Sequence, residues 1–298
     1  MKAPTWILCP IDFSEPSRGA LRYAAAIAGY FRAPLTVLTV NDPLLEQAAD
    51  MSGGTGSLRD AAEAETEHFF QDTFSGRPPD VGATFAVASG KPDVEILRVA
   101  RETSAGVIVM SSRGATGIRK LFLGSITERV LRATSVPVLV TPPADAGPAN
   151  ADDIRKAVRR ILVPVDLSDA MNQPVDIARR TAEVLGAQLL VAHVIEPVRT
   201  VVPGHAYAAN VDSERRGRAE QRLQQLVDTL PASPRVESLV VFGDPAEELA
   251  KIAGDRQAAL IVMGLHASAM SGARMGSVTY RVLSVTKGLV LALTPSHG

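Results

Sequence analysis

Short unbroken apolar runs alternate with helical patterns along the whole chain. Trp6 to Ile11, Leu35 to Val40, Val81 to Val87, Val107 to Met110 and Val136 to Thr141 read as strands. They are continuous Val/Ile/Leu stretches, which a strand buried on both faces requires. Between them the pattern predicts helices over 16–31, after the connection 41–57, over Asp93 to Glu102, and from Ser125 onward. Ser14 is placed as the first helix's N-cap, with Pro16 in its first turn. Strands alternating with helices predict an α/β fold with a parallel, doubly wound sheet.

The pattern is written twice. ILCPIDFS at 7–14 returns as ILVPVDLS at 161–168, and APLTVLTV at 33–40 as AQLLVAHV at 187–194. GVIVM at 106–110 returns as ALIVM at 259–263, and GSITERVL at 124–131 as GSVTYRVL at 276–283. Order is kept while the offset drifts by only two residues, as in a tandem duplication with small deletions. The second set predicts strands Ile161 to Val165, Leu189 to Val194, Val236 to Val241, Leu260 to Met263 and Leu289 to Thr294. It predicts helices over 173–185, after the connection 195–212, over Ala246 to Ala253, and from Ser277, with Ser168 as a cap. In SERRGRAEQRLQQLVDTL, Leu223, Leu226, Val227 and Leu230 share one helical face. The expected organisation is two five-stranded parallel sheets in tandem: residues 1–143, a linker 144–157, and residues 158–298. The Pro/Ala/Asp-rich stretch 142–153 reads as an exposed connection.

Composition narrows the function classes. The net charge is −1 from 31 basic and 32 acidic residues, so the chain is no basic body for nucleic acid. A single cysteine, Cys9, excludes an internal disulfide framework and a multi-thiolate zinc site, and reads as a small buried hydrophobe. No apolar run is long enough to span a membrane and the N-terminus lacks a signal-peptide pattern, so the expected location is the cytoplasm. The histidines His68, His193, His205, His266 and His297 show no metal-ligand spacing.

The candidate chemistry sits after the fourth strand. Ser111-Ser112-Arg113-Gly114 is followed by nine residues and then Gly124-Ser125, which opens a helix. Free N–H groups at a helix N-terminus favour an anion, and a glycine there permits close approach of a phosphate. Asp12, at the end of the first strand, is placed to accept hydrogen bonds from a ribose. A bland account also fits, in which Asp12 and Asp166 cap the following helix and Gly124-Ser125 is an ordinary cap pair. Ser52-Gly53-Gly54-Thr55-Gly56-Ser57 is glycine-rich but follows the second strand inside a connection, and reads as a surface loop. There is no GxxxxGK[ST], no nucleophile elbow and no HExxH.

On PIDFS, VIVMSSRG, GSITERVL and VPVLVTP, met in order and answered in the second copy by PVDLS, LIVMGLHA, GSVTYRVL and LVLALTP, the chain resembles a tandem universal stress protein. The resemblance implies an adenine nucleotide alpha-hydrolase-like, Rossmann-like fold and ATP as ligand, alone or with Mg2+. The family's nucleotide signature is Gly, two residues, Gly, nine residues, Gly, then Ser or Thr. Ser111 stands at its first glycine, Gly114 at the second and Gly124-Ser125 at the third. Carried over by position, Pro10, Ile11 and Asp12 would lie by adenine and ribose, and Val40 would border the adenine. Met110, Ser111, Arg113 and Gly114 would line the loop, and Gly124, Ser125, Ile126 and Thr127 would hold the phosphates. The second copy keeps Asp166, Val194, Gly264, His266, Gly276 and Ser277, but Ala267 replaces the second glycine and the loop is one residue short. If that position needs positive φ, alanine alters the loop. Nucleotide is therefore expected in the first copy. The resemblance also implies pairing of the copies through their last strands, with a homodimer as a further assembly. It implies a regulatory stress-response protein with at most weak ATP hydrolysis. A nucleotide-free scaffold acting by protein contacts is the alternative, and a slow ATP hydrolase the least favoured.

Overall fold

In a computed structural model, residues 4–44, 55–114, 123–167, 172–197, 205–265 and 275–294 are described. The first half runs β1 (Ile7–Ile11), α1 (Glu15–Phe31), β2 (Leu35–Asn41), α2 (Thr55–Thr73), β3 (Ala83–Ser89), α3 (Pro92–Glu102), β4 (Val107–Ser111), α4 (Ser125–Ala133) and β5 (Val138–Thr141). After α5 (Ala151–Ala157) the second half repeats it: β6 (Arg160–Pro164), α6 (Asn172–Leu185), β7 (Gln188–Ile195), α7 (His205–Asp228), β8 (Val236–Phe242), α8 (Pro245–Asp255), β9 (Leu260–Gly264), α9 (Ser277–Val285) and β10 (Leu289–Leu293).

The two five-stranded sheets join as one ten-stranded sheet of order β3-β2-β1-β4-β5-β10-β9-β6-β7-β8. Each half is parallel throughout. The join is antiparallel, with Val138 opposite Ala292, Leu139 opposite Leu291 and Val140 opposite Val290. The expected intrachain pairing of the last strands is therefore present. Because the direction reverses at the join, the carboxyl ends of the two sets of strands point to opposite edges of the sheet.

Alternation along each strand divides the core into two layers. Ile7, Cys9 and Ile11 face α1 and α2, with Ile161 and Val163 continuing the same layer toward α6 and α7. Leu8, Leu162, Ile108 and Ile261 face α3, α4, α8 and α9 on the other side. Ser14 caps α1 as expected, accepting from Ser17 N–H at 3.3 Å. The Ser168 cap lies outside the described residues.

Two expectations are corrected. The helices α2 and α7 begin at Thr55 and His205, inside stretches read as connections. The reading followed a one-sided apolar stripe, which the small and polar residues of HAYAAN lack although alanine favours helix. The stretch 142–153 is not an exposed tether either. Asp145 accepts from the Tyr23 hydroxyl at 2.7 Å and from Gly147 N–H at 2.9 Å, and Arg22 Nη1 donates to the Ala146 carbonyl at 3.0 Å. Asn150 then caps α5, accepting from Asp153 N–H at 3.1 Å, and α5 buries Ile154 in the core. Composition shows the prolines, but it cannot show that α1 offers partners for the polar groups beside them.

Candidate functional site

The site is built where the sheet's strand order reverses, between β1 and β4. β1 ends in Asp12, an exposed carboxylate. Its Oδ1 accepts from Ser14 N–H at 3.2 Å and from Ser14 Oγ at 2.5 Å. Between them Phe13 sits at φ 60°, a left-handed conformation unfavourable for a bulky residue. The Phe13 ring is held edge-on against Phe69 of α2, centroids 5.5 Å apart, with Arg18 over the other ring. Leu167 in the second copy has φ 59°, so the turn is reproduced there. Asp12 thus does not cap α1 itself. It orients Ser14, which does.

β4 ends at Ser111, and the chain then folds onto the start of α4. Gly124 N–H donates to the Ser112 carbonyl at 2.7 Å, and Thr127 Oγ1 donates to the Ser111 carbonyl at 2.9 Å. Ser112 N–H donates in turn to the Thr141 carbonyl at 2.9 Å, fixing the loop to β5. A Cβ on Gly124 would stand 3.3 Å from the Ser112 carbonyl and 3.4 Å from Arg113 Cα. A Cβ on Gly114 would collide with the Asp12 carboxylate, Oδ2 foremost, and lie 3.5 Å from its Cγ. Neither glycine has positive φ. The glycines are there for close approach, between the first-strand carboxylate, the loop and the helix start, and not for backbone twist. The condition of positive φ at the second glycine is therefore not met at Gly114.

α1, α5 and α8 start with a side-chain cap from Ser14, Asn150 and Asp244, whereas α4 and α9 start at Gly124 and Gly276, which have no side chain. The first-turn N–H groups of Ser125, Ile126 and Thr127 have no intrahelical carbonyl to bond. The structure brings Gly114 against Asp12, and Gly124 against Ser112 and Arg113, just ahead of Ser125 and Thr127. Met110 and Ser111 are buried, Met110 in the core layer against which Val40 and Ile126 pack. Pro10 and Ile11 belong to β1 beside β2.

The second copy repeats the closure: Gly276 N–H donates to the Leu265 carbonyl at 2.8 Å and Thr279 Oγ1 to the Gly264 carbonyl at 2.9 Å. Leu265, fully buried, stands where Ser112 stands. Asp166 and Val194 occupy the positions of Asp12 and Val40, and Ser277 opens α9. His266 and Ala267 lie outside the described residues. His193 Nδ1 lies 2.8 Å from the Val165 carbonyl, a partner that can only accept, so Nδ1 carries the proton and the ring bridges two strands. Burial pushes the Cys9 thiol far up, leaving a neutral core side chain.

The bond from Ser14 to Asp12 and the acceptor role of the Ser112 carbonyl escape the sequence reading. The recurring GSxT of both copies carries the signal for Thr127 and its counterpart Thr279, but carbonyl acceptors leave no trace in residue identity. Among the described residues, no His/Cys/Asp/Glu group is arranged to hold a metal, and no helix is long and apolar enough to cross a membrane.

The family model described as the universal stress protein family matches residues 5–142 and again 157–293. A universal stress protein of Mycolicibacterium smegmatis is 27% identical over 301 residues, covering 97% of both chains. Universal stress protein MJ0577 of Methanocaldococcus jannaschii is 29% identical over 149 residues, covering 45% of this chain and 92% of its own. The crystal structure of a universal stress protein from Archaeoglobus fulgidus superposes with TM-score 0.67 at 20% identity, covering 99% of this chain and all of that one, which supports the fold. With the fold duplicated, the loop closed on the helix start in both halves and the family pattern matched twice, the chain belongs to the universal stress protein family as a tandem of two such domains.

Proposed function

We propose that the chain is an adenine-nucleotide-binding regulatory protein of the stress response, with ATP held in the crevice of domain 1 (residues 1–143). The observation that carries this reading is the closure of Ser112–Gly114 onto Gly124 with Gly114 set against Asp12. A carboxylate beside a helix start with unbonded N–H groups suits ribose hydroxyls and phosphates, which supports the reading. Mg2+, when present, would arrive on the phosphates. Occupancy rather than fast turnover is the signal in this reading, read out through the surfaces of the paired domains.

Domain 2 (residues 158–298) favours a nucleotide-free reading, since Ala267 stands where Gly114 stands and the loop is one residue shorter. A Cβ at the Gly114 position is what the Asp12 geometry excludes.

Excess Mg-ATP should raise the melting temperature of the wild type and leave Gly124→Asp unmoved, because the new carboxylate occupies the phosphate position. Equal shifts in both proteins, or none in either, would count against the reading. An ATPase rate typical of enzymes, lost in Asp12→Ala, would replace it with a hydrolase.

A further inference from the structure

The amino ends of β6, β7 and β9 frame a recess of about 550 Å³ that the nucleotide reading does not use. Arg155 and Lys156 of α5, Arg159, Arg160 of β6 and Arg256 after α8 line it, and no acidic residue does. Arg160 is fixed in place, donating from Nη1 to the Arg256 carbonyl at 2.7 Å and from Nη2 to Gln188 Oε1 at 2.9 Å. Lys156 is paired with Asp153 at 3.1 Å and Arg256 with Glu237. Five cations against two paired carboxylates leave an excess of three positive charges. The side chains of Arg155 and Arg159 have no hydrogen bond or ion pair among the described residues. Gly186, at φ 67°, removes a side chain from the wall beneath Arg155, whose Nη2 lies 3.6 Å from where a Cβ would stand.

The duplication supplies an internal comparison. At the equivalent edge of the first half, Trp6 stands at the position of Arg160, Pro34 at that of Gln188, and Thr103 and Ser104 at those of Arg256 and Gln257. Ser104 and Gln257 share the same left-handed turn, with φ 51° and 52°. Arg32, at φ 52°, stands at the position of Gly186, so at these positions the first half carries a single cation, whereas the recess of the second half gathers five.

We propose that this recess binds a small molecule carrying two or more linked phosphate groups. Its volume is that of a small-molecule site, about 300–1,000 Å³ in general. A concave wall of one sign concentrates the field on an anion, and guanidinium forks match phosphate oxygens two at a time. A recess with three spare charges in a chain of net charge −1 suits a compact polyanion and not a nucleic-acid duplex, which needs a long basic face. The recess lies on the same sheet edge as the carboxyl ends of β1 and β4. β4 and β9 are three strand spacings apart in the sheet, about 14 Å, so the two sites are separate.

The test is isothermal titration with inorganic tripolyphosphate of the wild type, Arg155→Ala/Arg159→Ala and Gly124→Asp, with tetraglutamate at matched ionic strength as the comparison. Arg155 and Arg159 are exposed, so the double variant keeps its fold. The proposal expects an affinity loss of at least about tenfold in the double variant, near-wild-type binding in Gly124→Asp, and weaker binding of tetraglutamate. It is overturned by wild-type affinity in the double variant, by no measurable binding to the wild type, by loss in Gly124→Asp instead, or by tetraglutamate binding as tightly.

Discussion

Gly114→Ala adds one methyl group at the point where Asp12 Oδ2 stands. The carboxylate must turn away, and it then gives up Ser14 N–H at 3.2 Å and Ser14 Oγ at 2.5 Å. Water replaces part of what is lost at this exposed site, so each bond is set at about 0.5–1 kcal/mol and the pair at about 1–2 kcal/mol. The α1 cap itself survives, since Ser14 Oγ still accepts from Ser17 N–H. A fall in melting temperature of roughly 2–8 °C follows for a domain of this size. Nucleotide affinity should fall more. A charged acceptor withdrawn from ribose hydroxyls costs about 1.5–3 kcal/mol, or roughly 10- to 150-fold in Kd. Calorimetric melting and isothermal titration with Mg-ATP measure the two effects separately. A Gly114→Ala protein that melts and binds like the wild type would refute the close contact between Gly114 and Asp12 and the ribose role built on it.

Three further outcomes follow from the fold. Gly217→Ala, in α7 with nothing within 4 Å of the added Cβ, should stabilise by about 0.5–1 kcal/mol in denaturant melts; a loss of stability would mean the helix is packed differently there. Leu291→Ala, on β10 opposite Leu139 and buried in the layer shared by both domains, should cost about 2–5 kcal/mol, and a cost under about 1 kcal/mol would contradict a tightly packed join. Burial first, and then the Asp145 carboxylate, raise the Tyr23 hydroxyl above its ordinary value of 10.0. A raised folded value means the contribution is full below pH 10.0 and is lost as pH rises above it. Tyr23→Phe should therefore cost about 1 kcal/mol at neutral pH and flatten the alkaline decline, and a variant with the wild-type alkaline slope would disprove the linkage.

Much of this architecture is legible in residue identity because the duplication writes each signal twice. The apolar runs from Ile7 and Ile161 recur in register and mark β1 and β6, and GSITERVL and GSVTYRVL mark α4 and α9 with their glycine starts. The spacing from Ser111 to Gly124 marks the loop that closes on the helix. What the glycines do is not legible, because Gly114 acts through the position of Asp12, roughly a hundred residues away in sequence. The packing of 142–153 is hidden for the same reason, since Tyr23 and Arg22 lie far back in the chain. The basic recess escapes notice because its cations come from α5, β6 and the end of α8, and local sequence shows none of them meeting.

The central claim is one adenine nucleotide per chain, in domain 1. Titration of Mg-ATP into the wild type, Gly124→Asp and Gly276→Asp tests it most directly. The account predicts a stoichiometry of one, abolished by Gly124→Asp and kept by Gly276→Asp. Binding that survives Gly124→Asp and disappears in Gly276→Asp, or no binding at all, would contradict it.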